Sequence, residues 1–244
     1  MKLEVLNIWG GRITKELLSH ISSQASTIDI FCFQEVFHNG APHLDRQKIS
    51  VMDIFDRIKN VLPDHMGYFD QGNINEEGLA IFVRSSFNVT KHGDAVVFRK
   101  RNSLVGNDAT TLPRIIQYIE IETKGKKYTV VNFHGLWNEK KKLDTPTRLE
   151  QSRNIRAFMD SCFGEKILCG DFNLKPDTKS LALLEKGMRN LVKDYDIRST
   201  RTLIYDKPEK FADYVLISKG IKVKSFKVLD DTVSDHAPLF LDFS

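Results

Sequence analysis

Residues 166–176 read K-I-L-C-G-D-F-N-L-K-P, a short apolar run followed by a turn with polar side chains. The run is too short for a helix and is typical of a buried strand. Asp171 and Asn173 follow it two positions apart, and in extended backbone residues at this spacing point the same way. A carboxylate and an amide that face one pocket suit a phosphate, a metal ion or an attacking water. Because Asp and Asn are also common turn residues, this stretch alone only suggests such a site.

Length and composition are those of an ordinary globular protein. The chain has 244 residues, of which 41% are hydrophobic and 28% charged, and many α/β domains have this length. The net charge of +4 permits an anionic substrate but is lower than in most extended nucleic-acid binders. No apolar run approaches a membrane span, and the N-terminus does not resemble a signal peptide. Cys32, Cys162 and Cys169 form no C-x-x-C motif, so we expect free thiols and a cytoplasmic location.

Strands and helices alternate along the chain, with no low-complexity linker, short repeat or break in composition. Apolar periodicity predicts helices over 13–24, 51–62, 146–163 and 178–187. Besides the strand at 166–169, strands are predicted near 3–9, 28–34, 66–70, 78–84, 92–98, 114–122, 127–133, 211–217, 221–228 and 237–243. The stretch between 188 and 210 reads as irregular and polar. The pattern predicts a single domain over 1–244, with a mixed sheet core and helices outside.

Polar side chains stand at the ends of several of these strands. They are Asn7, Glu35, His134, Asp171, Asn173, Asp213, Asp235 and His236. Each alone has a plain structural explanation, such as a turn hydrogen bond, a cap or a packed histidine. Together they indicate a functional site, because the ends of neighbouring strands converge in space and sheet-based sites form there.

The motifs that contain these residues are N-I-W-G-G, Q-E-V, N-F-H-G, G-D-F-N, A-D-Y-V-L-I-S and S-D-H-A-P-L. In this order, from residue 3 to residue 243, the chain resembles the endonuclease/exonuclease/phosphatase superfamily, which includes deoxyribonuclease I and exonuclease III. The pair G-D-F-N and S-D-H-x-P is highly specific for it. The resemblance implies an α/β fold, a four-layer α/β/β/α sandwich with two mixed β-sheets packed face to face and helices outside. Periodicity alone does not distinguish two sheets from one.

The resemblance implies a metal site built from oxygen ligands. Glu35 matches the metal-binding glutamate of the family, and Asn7 would lie on the same ion or on the phosphate. Asp235 would be a second carboxylate on the metal side. Such a set suits Mg²⁺, which keeps several waters and shares the substrate phosphate, and we expect Mn²⁺ to substitute. Whether one ion or two bind is open.

The resemblance also implies catalytic roles. Asp171 matches the aspartate that orients or deprotonates the attacking water, and Asn173 would hold a phosphate oxygen. His236 matches the histidine that contacts the scissile phosphate, and Asp213 would fix its tautomer and favour its cationic form. His134 would donate to the phosphate or to the leaving oxygen. The identities of the general base and the general acid stay open.

Departures from the family motifs indicate which branches of the superfamily the chain resembles. His134 stands where enzymes of the exonuclease III type usually carry tyrosine. A histidine at this position resembles the deoxyribonuclease I, deadenylase, tyrosyl-phosphodiesterase and sphingomyelinase branches of the superfamily. The F-A-D-Y sequence around Asp213 differs from the W-C-D-R type motif of inositol 5-phosphatases. N-I-W-G-G lacks the second polar residue of the common N-x-N-G or N-x-D-G.

Further residues are candidates for substrate contact, and each has a structural alternative. Arg114 resembles a basic residue that reaches the phosphate, or it is a sheet-edge arginine. Trp137 and Phe211 could stack on a base or pack in the core or a lid. Arg148 and the lysines at 140–142 could line a groove for a phosphate backbone, or form a solvated charge run. The loop 99–112 could enter a groove or be a surface connection.

These observations predict a Mg²⁺-dependent phosphodiesterase that hydrolyses DNA or RNA by in-line attack of water and acts as a monomer. The alternatives are the same chemistry on a tyrosyl–nucleic acid adduct, a phosphomonoester or a sphingomyelin-type lipid. A non-catalytic binding protein on this fold is a further alternative, which the complete polar set disfavours. Endo or exo cleavage and the choice between DNA and RNA are open.

Overall fold

The structure is a computed structural model that describes residues 1–40, 50–71, 77–99, 113–137 and 142–244. Its strands are β1 (Lys2–Asn7), β2 (Ile30–Val36), β3 (His65–Gln71), β4 (Gly78–Arg84), β5 (Asn88–Phe98), β6 (Arg114–Thr123), β7 (Lys126–His134), β8 (Glu165–Asp171), β9 (Met188–Asn190), β10 (Asp213–Ser218), β11 (Val223–Val228) and β12 (Leu239–Phe243). Its α-helices are α1 (Thr14–Gln24), α2 (Ile54–Val61), α3 (Pro146–Ser161), α4 (Lys179–Glu185) and α5 (Leu191–Asp194). A 3₁₀ turn, Trp9–Gly11, follows β1.

The described strands form two six-stranded sheets. The first has the order β11-β12-β1-β2-β4-β3, and the second has the order β5-β6-β7-β8-β10-β9. Each sheet contains one parallel pair, β1 with β2 and β7 with β8, and its other pairings are antiparallel. Both sheets are therefore mixed.

Apolar layers on both faces of the first sheet explain how the sheets stack. Its outward face carries Phe31 and Phe33, which cluster with Leu17 of α1 and Ile58 of α2. Alternate residues of the same strands point inward, because side-chain direction reverses at each strand position. Cys32, for example, belongs to the cluster that also contains side chains of the second sheet and of α3 and α4. This arrangement confirms the predicted α/β/β/α sandwich.

A buried polar pair joins the two sheets beneath one end of the sandwich. The Gln34 side chain of β2 donates to Oδ1 of Asn132 on β7 over 2.7 Å. Asn132 in turn donates to the backbone carbonyl of Phe33 over 2.9 Å. Because buried amides are costly unless they are hydrogen-bonded, this pair specifies how the sheets align. Gln34 immediately precedes Glu35, and Asn132 lies two residues before His134, so the bridge also positions both site residues.

The stretch between 188 and 210, expected to be irregular, contains two short elements, β9 and α5. The Asn190 side chain begins α5 by accepting hydrogen bonds from the backbone N–H groups of Val192 and Lys193. These elements are too short for apolar periodicity to reveal. Most of the loop 99–112, together with Lys140 and Lys141, lies outside the described residues. In the described part of the chain, none of the helices has the length and apolar character that a membrane crossing requires.

Candidate active site

The two parallel pairs bring their carboxyl ends to the same end of the sandwich. Asn7 ends β1, and Glu35 lies at the end of β2. In the second sheet His134 ends β7 directly opposite Asp171, which ends β8. Asp213 pairs with Asp171 from the other side as the first residue of β10. Polar residues from both sheets therefore face each other across a single cleft, as the convergence of strand ends predicts.

Asp171 is the centre of this cleft and is 2% exposed. Its Oδ2 accepts a hydrogen bond from the Asn7 side-chain amide at 3.1 Å. The Nε2 atoms of His236 and His134 lie 3.6 and 3.7 Å from the same oxygen. Burial alone would raise the pKa of the Asp171 carboxyl, but the positive charge of His236, with that of His134 when it is protonated, outweighs burial and holds the pKa well below its usual range. Asp171 is therefore ionised at neutral pH.

The turn after β8 departs from the extended geometry expected for Asp171 and Asn173. Asn173 has φ 51°, in the left-handed region, so the two side chains do not share a strand face. They meet because the Asp171 carboxylate closes the turn by accepting from the Asn173 backbone N–H at 2.9 Å. The Asn173 side chain reaches the same carboxylate at 3.4 Å. The expected proximity is present, but an Asx-type turn produces it.

Glu35 is also positioned by irregular backbone. It has φ 57°, and the pairing of β2 with β4 changes register between Gln34 and Val36. This is a β-bulge, which redirects the side chain at the end of a strand. Glu35 Oε1 accepts from the Asn7 amide at 2.9 Å, so Asn7 connects the two central carboxylates.

Two glycines allow the cleft to be this narrow. Gly170, at φ 131°, precedes Asp171, and a Cβ there would collide with the Phe133 carbonyl oxygen of β7. A Cβ on Gly135, next to His134, would collide with the carbonyl oxygen of Phe172. The glycines of G-D-F-N and N-F-H-G are thus required for close approach of β7 and its extension to the turn after β8.

His236 and Asp213 form a buried pair beside Asp171. The Nδ1 of His236 lies 2.8 and 2.9 Å from the two Asp213 oxygens. Burial opposes a charged His236, but Asp213 outweighs it and raises the pKa of the imidazole above its usual value. The bond at Nδ1 leaves Nε2 directed toward Asp171. Thr200 orients the pair, because its hydroxyl donates to Asp213 Oδ2 at 2.9 Å.

His134 and Glu35 lie on the opposite side of Asp171. Burial first, and then the positive charge of Arg114, lower the pKa of His134 to about 4, so this imidazole is neutral at pH 7. Burial and repulsion from Glu77 raise the pKa of Glu35 to about 7. The Glu35 side chain is still 28% exposed, so solvent moderates this effect. The ligand atoms of Glu35, His134 and Asp171 lie within 4.8 Å of one another, close enough to hold a metal ion together.

Asp235 occupies the rim between His236 and Arg201. Its Oδ1 lies 3.9 Å from His236 Nε2, and its Oδ2 accepts from Arg201 Nη1 at 2.9 Å. It also raises the pKa of Glu35 through charge repulsion. The structure therefore places Asp235 on the approach to the cleft, although its carboxylate is not among the tightest groups of potential metal ligands in the described residues.

The four candidate substrate residues lie in different surroundings. Arg114 borders a small pocket with Glu77 and His134, and its Nη1 lies 3.8 Å from Glu77 Oε1. Trp137 is 46% exposed, whereas Phe211 packs partly buried against the main core. Arg148 is almost completely buried, and its guanidinium donates to the backbone carbonyls of Leu136 and Leu143. A structural role for Arg148 fits this geometry better than substrate contact, which stays a prediction.

Two residues of the site come from the irregular stretch and were not anticipated from the sequence. Thr200 holds Asp213, and Arg201 forms an isolated antiparallel bridge with His236. The signal that could have found them is only local: Thr-Arg precedes the Asp213 strand by about a dozen positions in a polar loop. Residues with this composition are usually solvated, so their burial was not visible.

The comparisons with known proteins identify the family and agree with the fold. A model of the endonuclease/exonuclease/phosphatase family matches residues 5–236, so the chain belongs to this family. Its members are phosphoesterase hydrolases that depend on a metal ion. No curated protein matches the sequence of this chain significantly.

Solved structures have the same fold at low identity. A family protein from Bacteroides thetaiotaomicron matches with a TM-score of 0.78 and 18% identity, over 100% of this chain and 94% of that one. A mannosyl-6-phosphatase from the same species has a TM-score of 0.76 and 18% identity, over 100% and 99% of the two chains. A humanized TDP2 of D. rerio has a TM-score of 0.74 and 14% identity, over 100% and 98%. At these identities the likeness shows the fold alone.

Proposed function

We propose that this chain is a Mg²⁺-dependent phosphodiesterase, a nuclease that hydrolyses DNA or RNA by in-line attack of water. The observation that carries the proposal is the surroundings of Asp171 Oδ2. Nitrogen atoms of Asn7, His236 and His134 lie 3.1, 3.6 and 3.7 Å from this ionised oxygen. An ionised carboxylate can orient water, and nitrogen donors around it can bind the oxygens of a phosphate next to that water.

The donor set fits a hard divalent cation on the Glu35 side. Glu35 and Asp171 offer carboxylate oxygens, which Mg²⁺ prefers. Burial and repulsion from Glu77 raise the pKa of Glu35, and a bound cation would stabilise the ionised form of this carboxyl. When bound, Mg²⁺ would neutralise negative charge that develops on the phosphate. Asn7 fits better as a phosphate ligand, since its Oδ1 accepts from the Trp9 backbone N–H at 2.9 Å and its amide group faces the cleft.

The charge of each remaining side chain determines the role that it takes in the reaction. His236, whose cationic form Asp213 favours, donates from Nε2 to a non-bridging oxygen of the phosphate and stabilises its additional negative charge. Asn7 and Asn173 donate neutral N–H groups to the same phosphate. His134 is neutral and can donate to the leaving oxygen without repelling the metal. Asp171 orients the water whose oxygen attacks phosphorus as the bond to the leaving oxygen breaks.

Aromatic side chains at the rim support a nucleic acid as the substrate. The sequence contains two tryptophans, and they follow the site residues Asn7 and His134 closely. Trp9 is half-buried with the Arg12 guanidinium 4.6 Å from its ring centroid, and Trp137 is 46% exposed. Exposed rings beside a phosphate site can stack on bases, with about 1–3 kcal/mol gained per stacked base.

A substrate panel tests the proposal. Purified parent protein would be assayed with Mg²⁺, and again with chelator, on single- and double-stranded DNA, RNA, a 5′-tyrosyl oligonucleotide, inositol phosphates, a sugar 6-phosphate and sphingomyelin. We expect chelator-sensitive cleavage of internal or terminal phosphodiester bonds in DNA or RNA. Turnover confined to the sugar phosphate, inositol or lipid substrates would contradict the nuclease assignment while retaining the phosphoesterase site.

A further inference from the structure

Two buried cations lie on the Asp213 side of the cleft and have no role in the mechanism above. Arg201 has a side chain that is 6% exposed, and its guanidinium lies 4.1 Å from the centroid of the Tyr205 ring. Lys142 is also 6% exposed, and its Nζ lies 5.7 Å from the same centroid. Lysine is rarely buried to this degree without a charged partner. We refer to Arg201, Lys142 and Tyr205 as the cationic corner.

The hydrogen bonds of these cations leave charge uncompensated. Arg201 Nη1 donates to Asp235, but Arg201 Nε is buried and has no hydrogen-bond partner among the described residues. Lys142 Nζ donates to the backbone carbonyl of Phe211 at 3.1 Å, and within the described part of the chain it forms no ion pair with a carboxylate. Among the described residues Arg201 therefore pairs with one carboxylate, Asp235, which also faces His236, while the negative charges of Asp171, Asp213 and Glu209 act on Lys142 only through space. A buried charge without an ionic partner is costly unless a ligand provides one.

Lys142 keeps its charge despite its burial. Burial lowers the pKa of its ammonium to about 8, with a further lowering from Arg201 that Asp171 and Asp213 partly oppose. A group with a pKa of about 8 is still about nine-tenths protonated at pH 7. The cationic corner therefore carries close to two positive charges at neutral pH.

The corner adjoins the catalytic groups. Arg201 is bridged through its backbone to His236. The carbonyl that binds Lys142 belongs to Phe211, two residues before Asp213. Both cations lower the pKa of Asp171 through space. An anion held at the corner would therefore sit next to a phosphate bound between His236 and Asn7.

We propose that Arg201, Lys142 and Tyr205 form a second anion site, which binds a phosphate group of the substrate one unit away from the phosphate that reacts. This inference rests on the proposed function, because it adds a subsite to the same cleft. In a nucleic acid the ligand is the neighbouring backbone or terminal phosphate. A small bisphosphate offers the same chemistry. The guanidinium has a buried Nε–H to which no described residue is hydrogen-bonded, and the ammonium adds charge-assisted hydrogen bonds.

Binding without turnover tests the second site. Isothermal titration calorimetry in chelator would compare thymidine 3′,5′-bisphosphate with thymidine 3′- and 5′-monophosphates, which lack one of the two phosphates. We expect the parent to bind the bisphosphate at least about tenfold more tightly than either monophosphate, since a charge-assisted bond contributes roughly this much. Lys142→Met should lose most of this preference, and Lys142→Arg should keep it. Lys224→Met, which removes one exposed lysine on β11, is the matched charge control and should behave as the parent.

The outcomes separate this inference from the proposed function. Equal affinity of the parent for bisphosphate and monophosphates would overturn the second site, even if the protein cleaves nucleic acid. A preference that is the same in parent and Lys142→Met would also overturn it. If Lys142→Met does not fold, as judged by its thermal transition, the parent comparison alone decides. Tighter binding of glucose 1,6-bisphosphate than of the nucleoside bisphosphate would support the site and assign it to a sugar phosphate, in which case the nuclease proposal would be the one to fail.

Discussion

The pair His236–Asp213 allows the most quantitative prediction. Replacing Asp213 by Asn keeps the size of the side chain and a hydrogen-bond acceptor for Nδ1, but removes its negative charge. The His236 Nδ1 lies 2.8 Å from Asp213 Oδ1. With the charges spread over both groups, a separation of about 4 Å and an effective dielectric constant of about 20 give an interaction of about 4 kcal/mol. Losing this interaction lowers the pKa of the imidazole.

In Asp213→Asn, the lowering of the His236 pKa by burial is no longer opposed by the negative charge of Asp213. The pKa of the imidazole should then fall below its usual value of about 6.5, so His236 is neutral at pH 7.5. Losing a cationic donor to the phosphate should lower kcat by about 10²- to 10³-fold, with a smaller change in KM. The measurements are steady-state kinetics at several pH values and NMR titration of the His236 ring, assigned with His236→Ala.

A matched control is Asp160→Asn, which removes an exposed carboxylate on α3 that pairs with Arg156. It should leave both the rate and the His236 titration as in the parent. An Asp213→Asn protein with a kcat within about threefold of the parent would refute the reasoning. So would an unchanged His236 titration, because the raised pKa would then not come from Asp213.

Three further predictions concern the support of the site, the response to pH and the metal. Thr200→Val removes a hydroxyl that donates to Asp213 and accepts from the backbone N–H groups of Ala212 and Asp213. We expect the free energy of unfolding, measured by urea titration, to fall by about 2–4 kcal/mol. An unchanged urea midpoint would contradict this role. His20 binds buried Glu4 at 2.8 Å, and although burial lowers its pKa, the Glu4 bond raises it above the unfolded value. The stabilisation of the folded protein by this pair should be complete below about pH 6.5 and decline as pH rises through the folded-state pKa of His20. The loss of unfolding free energy between pH 6 and pH 9 should therefore be smaller in His20→Gln than in the parent. Equal losses in the two proteins would exclude a stabilising role for the pair. Mg²⁺ at about 100 times its Kd should add about 2.7 kcal/mol to the free energy of unfolding of the parent. Glu35→Gln should abolish the accompanying rise in Tm. If Mg²⁺ stabilises Glu35→Gln as much as the parent, Glu35 is not a metal ligand.

Much of the fold was accessible from the sequence because its strands are strongly apolar. The period-two and continuous apolar runs located nearly all of the long strands, and polar residues at their ends located the cleft. The number of sheets was not accessible from periodicity, since a run of buried residues looks the same in either sheet. That assignment depended on family resemblance. The contact that aligns the sheets joins Gln34 to Asn132, 98 positions apart, and no local pattern encodes it.

For the site too, local sequence patterns identified some residues, whereas contacts between residues distant in sequence determined others. The sequence brought Asp171 and Asn173 together for an incorrect local reason, because the structure uses a left-handed turn where extended backbone was expected. Asn7, Glu35, His134 and His236 do converge on Asp171, although their catalytic and metal-binding roles stay predictions. Arg201 was missed because it becomes buried only through tertiary contacts of an irregular loop.

The central claim is that Asp171 lies at the centre of a metal-dependent phosphodiester-cleaving site. The most direct test measures single-turnover cleavage and binding of the same labelled oligonucleotide by the parent and Asp171→Asn, with Mg²⁺ or chelator. We predict that the parent cleaves only with Mg²⁺, and that Asp171→Asn binds within about tenfold of the parent but cleaves at least about 10³-fold more slowly. Cleavage by Asp171→Asn at the rate of the parent, or a parent that binds the oligonucleotide with Mg²⁺ but never cleaves it, would contradict the account.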